Sequence, residues 1–405
     1  MDGVMVQPAA ERVLVGRVLL ACLQAPDPGL QNPVVVDLAR RCDSRVLLNA
    51  AHRHALTAAL HLQLAGGDGV STEVAEVLEL RWRAQAAREL RIRADLRSLL
   101  PALGPAAGRW CFVKGPVLAH LAYPRPDARE YADLDLLVDR RSLGPVLEAL
   151  EAAGASVHDR NWPLVHQSMR GELTVILPFG TVLDLHWHLI TERSVRADFT
   201  FAMDPVLDAV RPVSWDGETV QAPGPADMLL HLCAHAVLSG GQKLAWWQDV
   251  ANVVRHDPPD WDLFTRRAAD SGLGVVSAVM LERACKLLEV PLPSGLLDGL
   301  ARRRGWRTVV TAADARRSVL VVHDGALTGQ TMLASTRGST RASLARLTAQ
   351  VGLATRDVVR NREHPWRHRG QIGSMLPVNP LHQDRGGAAG RMAFLDDLAS
   401  ARREP

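Results

Sequence analysis

Lysine is almost missing from this sequence. Of its 47 basic residues only Lys114, Lys243 and Lys286 are lysines, and arginine supplies the rest. A lysine kept against such a background draws notice. Cysteine is sparse too: Cys22, Cys42, Cys111, Cys233 and Cys285 lie far apart and form no CxxC pair. That excludes a zinc knuckle and a disulfide framework and fits a reducing compartment. Neither sign of charge is in large excess, since 47 basic residues face 44 acidic ones for a formal net charge of +3. No basic stripe gathers on one segment, so no nucleic-acid partner is expected. Long apolar runs are absent. The best, Val13 to Leu23, is interrupted by Arg17 and is too short for a bilayer, so no membrane partner is expected. The Met-Asp-Gly-Val start lacks the basic opening of a secretory leader, and the expectation is a cytoplasmic protein. Also missing are a Gly-x-x-x-x-Gly-Lys-Ser/Thr phosphate loop, a Gly-x-Ser-x-Gly elbow, a His-Glu-x-x-His zinc helix and a His-Arg-Asp loop.

What is present divides into four stretches. Residues 1–105 read as helical, with Leu47, Leu48, Ala51, Ala55 and Leu62 at helical spacing. Ser71 and Glu73 open a long charged helix that runs to Leu-Leu-Pro at 99–101, where Pro101 marks a boundary. Residues 106–222 change texture. A short apolar run, Trp110 to Val113, ends at Lys114-Gly115-Pro116, and a helix follows to Tyr123. Asp133 to Asp139 reads as a strand, and Ser142 is placed to cap a helix to Gly154. Leu173 to Leu177 and Thr181 to Leu189 read as a hairpin across Pro-Phe-Gly. Residues 223–320 return to helices. Residues 321–405 form an Arg-rich, partly loop-like tail with a candidate final helix near Met392 to Ala401.

The chemistry concentrates in the second stretch. On a strand, Asp133 and Asp135 project from one face while Leu134 and Leu136 face the other way. Two such carboxylates repel unless a cation lies between them, and magnesium favours oxygen ligands of this kind. A third carboxylate, Asp184, lies on a later strand and shares its face with His186 and His188. Lys114 stands at a strand-to-helix turn, where a helix N-terminus and an ammonium would suit phosphate.

At these residues the chain resembles the DNA polymerase β-type nucleotidyltransferase superfamily, and more closely a poorly characterised bacterial branch with Lys-Gly in place of Gly-Ser. The resemblance runs through Phe112-Val-Lys-Gly115, Arg129, Asp133-Leu-Asp-Leu-Leu-Val138 and Asp184-Leu-His-Trp187. It continues more loosely through Lys243-Leu-Ala-Trp-Trp-Gln-Asp249 and Asp260-Trp261, covering roughly residues 105 to 290. It implies an α+β fold, with a mixed-sheet core flanked by helical regions. It also implies two magnesium ions held by Asp133, Asp135 and Asp184, with Asp184 able to accept the proton of an attacking hydroxyl. The nucleotide side would include Lys114, Gly115, Arg129 and His186. The substrate would be a nucleoside triphosphate, expected to be ATP, and the acceptor a hydroxyl on a small molecule or peptide. One departure stands out: Pro116 follows Gly115 where similar proteins carry serine, so a phosphate-binding hydroxyl is missing.

Other readings compete locally. Arg129 has loop partners at hand in Asp127 and Glu130. His231 and His235 share a helix face at zinc-like spacing but lack a third ligand at fixed spacing, and read as a packing pair. Trp187, Trp246 and Trp247 read as packing aromatics. The alternative to a catalyst is a non-catalytic module of the same fold that binds a nucleotide or a partner.

Overall fold

Capped helices build the N-terminal region. In this computed structural model, which describes residues 9–25, 31–64, 70–196, 199–239, 241, 243–301 and 379–401, the first elements are α1 (Ala9–Gln24), α2 (Pro33–Arg40), α3 (Ser44–Arg53), α4 (Thr57–Leu64) and α5 (Thr72–Ala107). Asn32, Asp43 and Ser71 each accept a hydrogen bond from a first-turn backbone N–H of α2, α3 and α5. Such caps satisfy donors that a helix start leaves orphaned.

Helix α5 does not stop at Pro101. It continues to Ala107, a 36-residue helix about 54 Å long. Proline costs a helix one hydrogen bond, but Leu96, Leu99, Leu103 and Ala107 are buried against the sheet and hold the last turns in place. The N-terminal half of the same helix, through Val74 and Leu78, belongs to a different core shared with α1–α4.

The central sheet has the order β1-β2-β5-β4-β3, from β1 (Trp110–Val113), β2 (Asp133–Val138), β3 (Ser156–Val157), β4 (Glu172–Ile176) and β5 (Val182–His186). β2 and β5 run parallel; the other pairs are antiparallel. This is the mixed sheet of the expected α+β class. Three helices serve it: α6 (Gly115–Ala122), α7 (Leu143–Ala152) and α8 (Trp162–Ser168). Ser142 makes no side-chain cap on α7; Asp139 caps the preceding turn by accepting from Arg141 N–H. The β4–β5 turn is anchored by Asp95, fully buried on α5, which accepts from the N–H groups of Phe179 and Thr181.

Beyond the sheet lie α9 (Arg193–Arg196), α10 (Asp204–Asp208) and a second hairpin, β6 (Arg211–Trp215) with β7 (Glu218–Ala222). The sequence reading had no strands there. Asp216-Gly217, both at positive φ, form the tight turn. Helices α11 (Pro225–Leu238), α12 (Leu244–His256), α13 (Trp261–Asp270), α14 (Gly274–Leu287) and α15 (Leu296–Leu300) then form a bundle. The final helix, α16 (Gly387–Ser400), packs against α8, with Phe394 buried beside Trp162 and Trp187. The rest of the expected tail, 321–378, lies outside the described residues, as do 302–320.

Alternation along the strands decides what each sheet face sees. Leu134, Leu136, Leu183 and Leu185 join the core made with α5 and α7. Cys111, Val113 and Leu137 point the other way, into the core shared with α6, α11 and α12. Asp133 and Asp135 share the face of Leu137. The carboxylates therefore look toward the C-terminal helical bundle.

Candidate active site

The site begins with strand register. Asp135 pairs with Val113 on one side and with Asp184 on the other. Adjacent strands lie about 4.8 Å apart, so Asp184 stands beside the Asp133–Asp135 pair on the same face. His186 follows Asp184 two residues on. The hairpin brings Glu172 opposite His186 and Thr174 opposite Asp184.

Lys114 ends β1 at φ +54°, and Gly115 follows at φ +48°. Two positive-φ residues in a row make a sharp turn, which sends the lysine back over the sheet. Its Nζ lies 2.8 Å from Asp135 Oδ1. Only glycine accepts the second position without cost, and a Cβ there would lie 3.3 Å from the Asp133 carbonyl oxygen. The turn thus rests directly on the start of β2.

Asp135 is 4% exposed and its Oδ1 also takes a hydrogen bond from His186 Nε2 at 3.0 Å. Burial alone would push this carboxyl up, but Lys114 and His186 hold it well below the usual carboxylate range. Burial opposes the charge on His186, yet its bond to Asp135 and the nearby Glu172, 3.5 Å from Nδ1, raise it above the usual imidazole value. Glu172 is tied in turn to Arg170.

Asp133 and Asp184 stand differently. Neither makes an ion pair among the described residues. Burial, with Asp135 adding repulsion, pushes Asp133 up. Burial pushes Asp184 further, to about 7, with His186 and, more weakly, Lys114 pulling down against Glu172 and the other two aspartates. Its side-chain contact is Thr174 Oγ1 at 3.4 Å. Two half-buried carboxylates without an ion-pair partner are costly.

Arg129 pairs with neither Asp127 nor Glu130, the loop partners weighed from sequence. Its Nε and Nη2 meet both oxygens of Asp249 on α12, at 2.8 and 2.9 Å, and Nη1 donates to the Gly115 carbonyl. Tyr123 donates to the same Asp249. Asp127 instead pairs Arg125, and Glu130 accepts from Ala58 N–H at the start of α4. Arg129 therefore braces the Lys114-Gly115 turn from below and locks the sheet to the helical bundle. His188 is buried beyond the end of β5, where its Nδ1 accepts from Ile190 N–H.

A family model described as an uncharacterised nucleotidyltransferase matches residues 41–289. The chain belongs to that family. The span takes in the N-terminal helices from α3 onward, the sheet and the bundle through α14, so it starts well before the point where the resemblance begins by eye. The protein is accordingly a nucleotidyltransferase-family enzyme. Among curated proteins and solved structures, nothing matches this chain. No helix among the described residues is long and apolar enough to cross a membrane.

Among the described residues, no three His, Cys, Asp or Glu side chains converge closely enough to cage a metal ion by themselves. Magnesium does not ask for such a cage: it takes one or two carboxylates and completes its shell with water and phosphate oxygens. Asp133 and Asp184, hard oxygen donors with no direct ion-pair partner among the described residues, fit that ion. Asp135 has one oxygen outside the Lys114 and His186 contacts. The sequence reading passed over Glu172, Thr174 and the bracing role of Asp249. The first two were legible in principle, because a hairpin across Pro-Phe-Gly puts Glu172 opposite His186. Asp249 comes from a helix more than a hundred residues away, and no local pattern signals it.

Proposed function

We propose that this nucleotidyltransferase moves an NMP from an NTP, with ATP the expected donor, to a hydroxyl of a small-molecule or peptide acceptor, releasing pyrophosphate. The observation that carries this reading is the pair of half-buried carboxylates without an ion-pair partner, Asp133 and Asp184, flanking an ionised Asp135 on adjacent parallel strands. Asp133, Asp135 and Asp184 would hold magnesium, which supplies charge neutralisation at the phosphates and lowers the cost of the entering and leaving oxygens. Asp184 would also accept the proton of the attacking hydroxyl. His186 keeps Asp135 ionised and oriented. Lys114 and the Gly115 turn border the phosphate side, and Arg129 keeps that turn in place.

The test is ligand-induced thermal stabilisation of wild type and Asp135→Asn with ATP, GTP, CTP and UTP, each with and without magnesium. The expected result is a shift with one NTP that requires both magnesium and Asp135. A labelled α-phosphate then follows the transferred group. The second reading, a non-catalytic binding module, draws on Lys114 occupying one oxygen of Asp135. It predicts a nucleotide shift that survives both magnesium removal and Asp135→Asn.

A further inference from the structure

The two cations nominated from sequence for phosphate are already engaged, Lys114 by Asp135 and Arg129 by Asp249. Across the site the helical bundle offers another group. Lys243 precedes α12 and has no carboxylate within ion-pairing distance among the described residues. Its Nζ sits 5.2 Å over the Trp246 ring. Burial pushes the ammonium below its ordinary value, partly opposed by Glu130, Asp133 and Asp249, the acidic groups it faces. Trp246 meets His235 edge-on at 5.6 Å, and His235 lies 6.0 Å from His231. His231 is 3% exposed, yet both its ring nitrogens lack a hydrogen-bond partner. The charged groups around it are Lys114, Asp135 and His186.

Lys243, Trp246, His235 and His231 thus form a continuous row of side-chain contacts, with Lys243 within electrostatic reach of Asp133 at one end and His231 of Asp135 at the other. A buried imidazole with both nitrogens idle is costly unless something fills them. A desolvated ammonium without a counter-ion makes the same demand.

We propose that this wall seats the polyphosphate tail of the nucleotide, with Lys243 pairing a terminal phosphate and a ring N–H of His231 donating to an inner one. This rests on the reading of the site as one that takes a nucleoside triphosphate. It supplies the phosphate contact that Pro116, lacking both hydroxyl and N–H, cannot make. Trp246 carries the lysine stem and shields the pair from water, as amphipathic packing of a long cation requires.

The experiment is calorimetric titration of the full chain with inorganic tripolyphosphate and, separately, with adenosine, using wild type, Lys243→Met, Lys243→Arg, His231→Leu and His231→Asn. Tripolyphosphate should bind wild type, and Lys243→Met should weaken it by about ten- to a hundred-fold, as loss of a charge-assisted bond implies. Lys243→Arg should keep most of the affinity. His231→Leu should weaken binding several-fold, with His231→Asn recovering part of it. Thermal unfolding of Lys243→Met without ligand should show no loss of stability against wild type, since the lysine has no ion-pair partner to lose and its charge is disfavoured by burial. Unchanged tripolyphosphate affinity in Lys243→Met, absence of binding to wild type, or a loss confined to adenosine would each overturn the proposal. Tripolyphosphate binding through Lys243, combined with no transfer of labelled α-phosphate, would instead sink the transferase reading and leave the seat standing.

Discussion

Asp184→Asn should stabilise the ligand-free protein at neutral pH, and the gain should vanish in acid. The Asp184 carboxyl moves from an ordinary 3.8 to about 7 in the fold, chiefly through burial. At about 1.4 kcal/mol per tenfold change in proton affinity, that corresponds to about 4 kcal/mol. The sign follows from proton uptake. Between pH 3.8 and about 7 the folded carboxyl holds its proton while the unfolded one has lost it, so stability falls as pH rises through that window and levels off above it. His186, raised in the fold, also costs stability as pH climbs past its folded value. His231, pushed well down by burial, acts oppositely below pH 6.5. The wild-type curve alone is therefore a mixture, and the wild-type-minus-variant difference isolates Asp184. Urea unfolding of both proteins at pH 4, 5, 6 and 7.5 would measure it. The expected difference is near zero at pH 4 and grows to about 4 kcal/mol in favour of Asn by pH 7.5. The lost Thr174 contact could shift every point by about 1 kcal/mol but not change the trend. A flat difference, or a variant less stable at pH 7.5, would refute the claim that this carboxylate stands uncompensated.

Three more outcomes follow from the same geometry. Asp249→Asn breaks the ion pair of buried Asp249 with largely buried Arg129 and should cost about 3–5 kcal/mol in chemical unfolding, against about 1 kcal/mol for Tyr123→Phe. Gly115→Ala forces a side chain into positive φ and against the Asp133 carbonyl; the expected loss is about 1–2 kcal/mol of stability, with a raised KM for the NTP. Phe394→Ala, which empties the space between Trp162 and Trp187, should cost about 3–5 kcal/mol and leave the carboxylate site's nucleotide binding unchanged, because that residue lies on the opposite face of the sheet.

The strands that carry the carboxylates were legible because their physics is local. Asp133-Leu-Asp-Leu-Leu-Val alternates as a strand must, and β2 spans Asp133–Val138. The Pro-Phe-Gly hairpin came out as expected, and so did the return to helices after residue 223, in α11 to α15. The second hairpin escaped although Asp216-Gly217 is a strong turn signal, because its strands are short and interrupted by Pro212. Pro101 misled for the converse reason: its local penalty is real, but burial of Leu99 and Leu103 on the sheet outweighs it. Arg129 shows the deeper limit. Its nearest acidic residues in sequence take other partners, and its own partner arrives from α12. Which carboxylate meets which cation is settled by how the bundle lies on the sheet, and no spacing along the chain encodes that.

Helix α5 anchors one core with Val74 and Leu78 and the other with Ile92 to Ala107. A rod common to two cores binds their fates together. Its middle amides can exchange with deuterium only when both ends let go, so protection there should report the opening of the entire molecule. A fragment cut just before the sheet would leave its apolar underside bare, because the strip that covers it is donated by residues upstream of the cut. The N-terminal helices and the carboxylate-bearing sheet are, in this sense, two ends of one lever.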